Sequence, residues 1–166
     1  MFEFKPLDNQ AIPAALEKIE RYRLLNEPVD AESICRDVLA VEQDNQQALM
    51  NLVLSLTDQF EERLAGRFEE ARDTAAQLQG EYERAYYSGI VCERRAKAHH
   101  ARATPGSGSV AHNWFLDAMD WYEKAEALRP QGNDDALLRW NTCARIVMAH
   151  PEIKPEEQTT PSLELE

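Results

Sequence analysis

The sequence predicts an all-α protein built from packed helix pairs, and three observations favour this fold class. Glycine is scarce, with 6 residues in a chain of 166, and runs of β-branched residues are few. Apolar residues recur at helical spacing through most of the chain. The interruptions between these segments are short, as antiparallel helix pairs require. We therefore expect one helical domain over residues 1–150.

Seven helices are predicted from this periodicity. They span residues 9–25, 29–42, 46–64, 67–79, 81–102, 111–129 and 133–149. The Gly/Ser-rich segment 103–110, ATPGSGSV, is interpreted as a long loop between two helices. The acidic, Pro-rich segment 151–166 is interpreted as a disordered tail.

The predicted sixth helix carries the most informative pattern, within the stretch AMDWYEKAEALRP. Small residues at Ala118 and Ala125 allow neighbouring helices to approach closely, and Tyr122 fills the space between these contacts. Pro130 then ends the helix. Two apolar stripes run along it, which indicates burial between two neighbouring helices. The first stripe is Trp114, Ala118, Trp121, Ala125 and Leu128, and the second is Phe115, Met119 and Tyr122.

These spacings resemble the tetratricopeptide repeat, a helix–turn–helix unit of about 34 residues that stacks into a right-handed superhelix. The small, aromatic, small, proline pattern of its second helix is matched by the stretch just described. Gly89 matches the glycine of its first helix, with Cys92 where a tyrosine is usual. Matching positions in the earlier units are Tyr22, Ala31, Cys35, Val38, Gly66, Phe68 and Ala71. The resemblance covers roughly residues 12–149 and implies an α-α superhelix of about three helix pairs.

The predicted seventh helix fits a cap on the last pair, because stacked repeats need a polar end. Its expected inward residues are Leu137, Trp140, Ala144 and Val147. Its expected outward residues are Asp134, Asp135, Arg139 and Arg145. A generic helical bundle with coincidental alanines is the alternative interpretation of the fold.

The resemblance implies a non-catalytic scaffold, because in this family the first helices of successive pairs line a concave groove that holds a peptide or helix of a partner protein. The implied groove residues are Gln47, Met50, Leu54, Asp58, Glu83, Tyr86, Ile90, Arg94, Leu138 and Thr142. The apolar members are expected to anchor apolar side chains of the partner, while nearby carboxylates favour a partner with Lys or Arg. The competing interpretation is that these residues pack against a neighbouring helix or the inserted loop.

One branch of the family clamps the C-terminal carboxylates of chaperones. Its lysine and asparagine positions hold residues such as Met50 and Ile90 here, so this function is not expected. Two other function classes stay open. One is a small acidic chaperone for an export or assembly client. The other is a self-associating structural subunit, whose groove takes a second copy or the chain's own tail through Leu163 and Leu165.

We expect neither an enzyme nor a cofactor, since the chain has no Gly-rich phosphate loop and no recognisable nucleophile motif. Cys92 and His99 lie seven residues apart on one helix face, with His100 beside them. Zinc would need a further ligand, and none lies at a usual spacing. A core thiol with two solvated histidines is therefore the preferred interpretation, and no metal site is expected.

Charge sets the remaining expectations. A formal net charge of −12 disfavours nucleic acid and anionic membranes as partners. The basic run 94–102, RRAKAHHAR, fits the stabilisation of cations at a helix C-terminus. Its alternative role is to dock an acidic segment of a partner or of this chain's own tail. Three scattered cysteines without a CxxC pair, and the lack of a recognisable signal sequence, predict a cytoplasmic location.

Overall fold

The structure is a computed structural model that describes residues 1–157. These residues form a short 3₁₀ turn and seven α-helices, with no strand among them, so the predicted all-α class is confirmed. The helices are α1 (Ile12–Leu24), α2 (Pro28–Val41), α3 (Gln46–Thr57), α4 (Arg67–Ala76), α5 (Glu81–Arg102), α6 (Ser107–Leu128) and α7 (Asp135–Ala149).

Each helix packs against the next one along the chain, and α3 also contacts α1 and α5. The first helices of the three successive pairs therefore lie side by side. Buried apolar residues form two clusters, one mainly among α1 to α4 and the other mainly among α5 to α7. The half-buried rings of Tyr87 and Trp114 pack against both clusters and so connect them.

Local sequence signals account for several helix starts. Prolines stand in the first turns of α1 and α2, where the missing N–H has no partner to lose. Asn45 precedes α3, and its side chain accepts a hydrogen bond of 2.9 Å from the backbone N–H of Ala48. This cap satisfies one of the N–H groups that a helix start leaves without a partner.

The pattern that singled out α6 has the predicted packing consequence. Ala118, Tyr122 and Ala125 are all fully buried. The ring of Tyr122 rests on Gly89 of α5, where an added Cβ would lie only 2.5 Å from the Tyr122 Cε1 atom. A glycine is therefore needed at this crossing. Leu128, which was predicted to belong to the first apolar stripe with Ala118 and Ala125, is instead 46% exposed because it lies in the last turn of the helix.

The predicted loop 103–110 is shorter in the structure, because α6 already begins at Ser107. The turn is made by Ala103 and Gly106, whose φ angles of 49° and 81° lie in the left-handed region. The two helices joined by this turn, α5 and α6, are 22 residues long each. Gly108 lies within α6, and the backbone of Glu152, in the segment after α7, packs closely against it. The local sequence around Gly108 cannot reveal this contact.

The predicted α3 also differs, since the helix ends at Thr57 and not at 64. The chain turns there so that Phe60 is buried and the Gln59 side chain donates a hydrogen bond of 2.8 Å to Glu32. Helical spacing of apolar residues continues through this turn, which explains why periodicity alone overestimates its length.

Ordered packing continues past α7, in contrast to the predicted tail from 151 onward. Ile153 is only 3% exposed and belongs to the cluster formed by α5, α6 and α7. Its backbone N–H donates a hydrogen bond of 2.9 Å to the carbonyl of His150. The rest of the predicted tail, 158–166 with Leu163 and Leu165, lies outside the described residues.

Candidate binding surface

A depression of about 350 Å³ lies on the side of the molecule formed by α1, α3 and α5. Three of the predicted groove residues, Gln47, Met50 and Leu54, are brought together there. The remaining lining comes from the end of α1 and from neighbouring positions of α3 and α5. These residues are Glu20, Arg23, Leu24, Asn51 and Tyr87.

Apolar surface is available in this depression. Leu24 is 88% exposed in the last turn of α1, while Met50 and Leu54 are half-buried on α3. Burial raises the pKa of Tyr87 to about 12, so its phenol stays neutral at physiological pH. An exposed leucine beside a methionine and a neutral aromatic ring is the composition expected of an anchor site for an apolar side chain.

An ion-pair group lies next to this depression and uses two of the predicted groove residues. Asp58 of the predicted set accepts a hydrogen bond of 2.9 Å from Arg23 Nε. Its other carboxylate oxygen lies 3.4 Å from the Arg94 guanidinium. Asp58 and Arg94 therefore bind one another across α3 and α5. Together with Arg23, this pairing connects α1, the end of α3 and α5. The charges of Asp58 and Arg94 are thus already paired within the protein.

The predicted groove residues of α5 have a different fate. Ile90 is only 1% exposed and belongs to the apolar core, so its expected role as a ligand anchor is wrong. Tyr86 is half-buried and stacks on Tyr82 with ring centroids 5.7 Å apart. Its hydroxyl accepts a hydrogen bond of 3.1 Å from Arg139 Nε of α7. Both side chains thus serve the packing of α5 against its neighbours.

The other predicted groove residues do not line the depression. Glu83 is half-buried near the start of α5. Leu138 and Thr142 are exposed on α7, and the Thr142 hydroxyl donates to the Leu138 carbonyl of its own helix. The face predicted as one continuous groove is therefore divided between an open part on α3 and a closed part on α5, while the exposed residues of α7 belong to neither.

A buried carboxylate closes that second part. Glu93 of α5 is fully buried and accepts hydrogen bonds of 2.5 Å from the Tyr122 hydroxyl and of 2.5 Å from Lys97 Nζ. Arg139 of α7 reaches the same carboxylate at 3.3 Å. Arg139 was expected to point outward and instead faces the core, because the buried Glu93 offers it a partner that solvent cannot replace.

The electrostatic balance at Glu93 favours the charged form. Burial by itself would raise the pKa of this carboxyl. The positive charges of Lys97 and Arg139, with hydrogen bonds from Lys97 and Tyr122, outweigh burial and hold the pKa below its usual value. The charged Glu93 carboxylate thus connects α5, α6 and α7, and both of its oxygens are bound by side chains of the protein itself. This arrangement serves packing and presents no acid or base to a substrate.

Sequence reasoning did not find this junction. The spacing of Glu93 and Lys97 by four residues is a local signal of an ion pair on a helix. Arg139, however, lies 46 residues further along the chain, and no local pattern links it to Glu93. Only the packing of α7 on α5 brings them together.

A second polar junction holds the N-terminal helices. Glu32 of α2 is buried and lies 2.6 Å from Arg67, with Arg36 and Gln59 as further hydrogen-bond donors. Burial opposes ionisation here too, but hydrogen bonds from Arg67, Gln59 and Arg36 lower the pKa of Glu32. This carboxylate joins α2 to the turn after α3 and to the start of α4.

The candidate zinc ligands Cys92, His99 and His100 do not form one cluster within residues 1–157. Burial raises the pKa of the Cys92 thiol to about 12, and Cys92 and His99 belong to no group of three metal-binding side chains within residues 1–157. His100 instead lies 2.9 Å from Glu152, in the segment that follows α7.

Three basic side chains of the run 94–102 are bound by other residues of the protein. Arg94 contacts Asp58, and Lys97 contacts Glu93. The Arg95 guanidinium lies over two aromatic rings, 3.8 Å from the centre of Phe68 and 4.2 Å from that of Trp114.

Comparison with protein-family models, with curated proteins and with solved structures finds no match to this chain. Within residues 1–157, no helix is both long enough and apolar enough to cross a membrane.

Proposed function

We propose that this protein is a non-catalytic protein–protein interaction module of the tetratricopeptide type, which binds a peptide or helix of a partner protein. The observation that carries the proposal is the depression between α1, α3 and α5. It gathers three groove residues expected from the resemblance, Gln47, Met50 and Leu54, around the exposed side chain of Leu24.

The helix contacts support a repeat of this type. Successive helices pack in pairs, and the first helices of the pairs contact one another, as they do in a stacked helical repeat. The contact between Gly89 and Tyr122 joins the glycine and aromatic positions that the repeat pattern assigns to its two helices. Ala31, Cys35 and Val38, which match the pattern in the first unit, are all fully buried.

The ligand side chain that suits this depression is apolar. Leu24, Met50 and Leu54 supply hydrophobic contact, and methionine adapts its shape to different side chains. The charges that line it are balanced, since Glu20 and Arg23 carry opposite signs. A preference for a partner that also bears Lys or Arg therefore rests on the net charge of −12, through long-range attraction.

Leu24→Asp tests the proposal because it places a charge in the depression at a side chain that packs on little else. The full chain and the variant are used as bait in lysate of the source organism, at low and at high salt, with mass spectrometry of the bound proteins. Capture of a stoichiometric partner is expected to fall by about tenfold or more in the variant. Binding that also weakens at high salt would support the role of the acidic surface.

Met148→Asp is the matched control, because Met148 is 83% exposed and also lies in the last turn of a helix, α7. It should retain the partner. Equal capture by both variants and the parent protein would place the binding surface elsewhere. Recovery of only further copies of this chain would instead support the self-associating subunit.

A further inference from the structure

Three metal-binding side chains meet where the segment after α7 crosses the end of α5. Glu152 Oε1 lies 2.9 Å from His100 Nε2 and 3.2 Å from His150 Nδ1. The two imidazole rings face each other edge to face, with centroids 4.6 Å apart. All three potential ligand atoms lie within 4.8 Å of one another. We propose that His100, His150 and Glu152 form a binding site for a divalent transition-metal ion, with Zn²⁺ as the best fit.

The spacing of the ligand atoms fits a metal of this size. Zinc binds imidazole nitrogen and carboxylate oxygen at about 2.0–2.2 Å, so two ligands of a tetrahedral zinc lie about 3.3 Å apart. Both contacts of Glu152 are close to that separation. Small movements of half-exposed side chains suffice to admit the ion, since the His150 and Glu152 side chains are 44% and 57% exposed.

The donor set selects the class of metal. Two imidazole nitrogens and one carboxylate oxygen suit zinc, and also cobalt, nickel or copper, because imidazole is a borderline-soft ligand. Magnesium and calcium prefer sites made of oxygen alone. Three protein ligands leave at least one position of a tetrahedral ion for water or for another ligand.

The surroundings give the ion access from solvent. A depression of about 510 Å³ adjoins the cluster and is lined by His100, Glu152 and the first residues of α6. The segment after Glu152, from Lys154 to Glu157, also lines this depression. Water can therefore reach the open coordination position.

The ion would join parts of the chain that are far apart in sequence. His100 belongs to α5, whereas His150 and Glu152 follow α7, and 52 residues separate His100 from Glu152. The cluster sits where the Glu152 backbone passes so close to α6 that a Cβ on Gly108 would lie 2.1 Å from the Glu152 carbonyl oxygen. Metal bound here would fasten the segment around Ile153 to α5 and would stabilise the native state, which alone presents this ligand set.

The test uses the full chain without a polyhistidine tag, titrated with Co²⁺ by absorption spectroscopy and with Zn²⁺ by calorimetry. One ion per chain is expected, together with a rise in the melting midpoint in the presence of Zn²⁺. His100→Ala and His150→Ala are each expected to weaken Zn²⁺ binding by about 100-fold, because each removes a large share of the coordination free energy. Glu152→Gln, which keeps the size of the side chain, is expected to weaken it by about tenfold.

His112→Ala is the matched control, since His112 is half-buried on α6 and belongs to no such cluster within the described chain. It should bind Zn²⁺ like the parent protein. A His150→Ala variant of unchanged affinity would overturn the proposal, because it would show that His150 is not a ligand of the ion. Absence of saturable binding in the parent protein would overturn it as well.

A second measurement does not depend on the folding of any variant. In the parent protein, Zn²⁺ should shift the ring NMR signals of His100 and His150 and leave those of His99 and His112 in place. Shifts at His99 together with an unaffected His150 would contradict the assignment.

Discussion

Leu54 and Ile90 hold equivalent places in the predicted groove, on the first helices of successive pairs, yet only Leu54 borders an open surface. Leu54 faces the depression beside Leu24, which we call the open region, formed by Leu24, Gln47, Met50 and Leu54. Ile90 is buried in what we call the closed region, formed by Tyr86, Ile90, Glu93, Tyr122 and Arg139. Equivalent helix positions thus have different exposure, because exposure depends on which helices pack against them.

The physical cause of this difference is the packing around α5, because Ile90 belongs to the apolar cluster that α5 forms with α6 and α7. Arg139 of α7 also contacts both the Tyr86 hydroxyl and the buried Glu93 carboxylate, so side-chain contacts join α7 to α5. Beside Met50 and Leu54, by contrast, the end of α1 leaves Leu24 exposed and the depression open. The ligand-binding role that we propose therefore falls on the open region, whereas the contacts of the closed region are structural.

The largest effect is expected for Glu93→Ala in the closed region. This change leaves Arg139, Lys97 and the Tyr122 hydroxyl without their shared buried partner, and the free energy of unfolding should fall by about 3–5 kcal/mol. Urea unfolding followed by circular dichroism measures it. Asp73→Ala is the control, because the Arg72–Asp73 pair is exposed and should contribute no more than about 1 kcal/mol. Similar small losses in both variants would mean that Glu93 does not hold the closed region together.

The comparison itself is tested by a matched pair of truncations. Ile90→Ala should lower the free energy of unfolding by about 2–5 kcal/mol, because it leaves a cavity in the core. Leu54→Ala should cost clearly less, since part of its side chain already faces solvent. Denaturant midpoints of the two variants decide the matter. Equal losses of unfolding free energy in the two variants would mean that Leu54 is a core residue like Ile90 and that the two regions do not differ.

A smaller effect is expected in the acid dependence of stability. The pKa of Glu93 is lowered in the folded protein, so its contribution is complete above the unfolded pKa of about 4.3 and is lost as pH falls through the folded pKa. Glu93→Gln cannot lose this contribution, and its stability should therefore decrease less steeply in acid. Urea midpoints measured from neutral pH downward show the slope. The variant Glu61→Gln, at an exposed position, serves as the control, and its acid dependence should match that of the parent protein. If the Glu93→Gln curve also runs parallel to that of the parent protein, the charge of Glu93 does not stabilise the closed region.

Some features of the candidate site could be predicted from the sequence. Gln47, Met50 and Leu54 were expected in one groove because the resemblance to the tetratricopeptide repeat implies it, and the structure brings them to one depression. Leu24 was not expected there, since nothing in its own helix shows that it stays uncovered. The burial of Ile90 depends on helices that follow it much later in the chain, so no local pattern distinguishes it from Leu54.

The sequence by itself determined the helical class, most helix positions and the close contact at Ala118, Tyr122 and Ala125, because these follow from side-chain size and from the 3.6-residue period. Tertiary structure alone decided which polar groups meet from distant parts of the chain. It joined Glu93 to Arg139 across 46 residues and His100 to Glu152 across 52. Such pairs form only when packing brings distant parts of the chain together, and the buried charge of Glu93 in addition needs a partner from the elements that cover it.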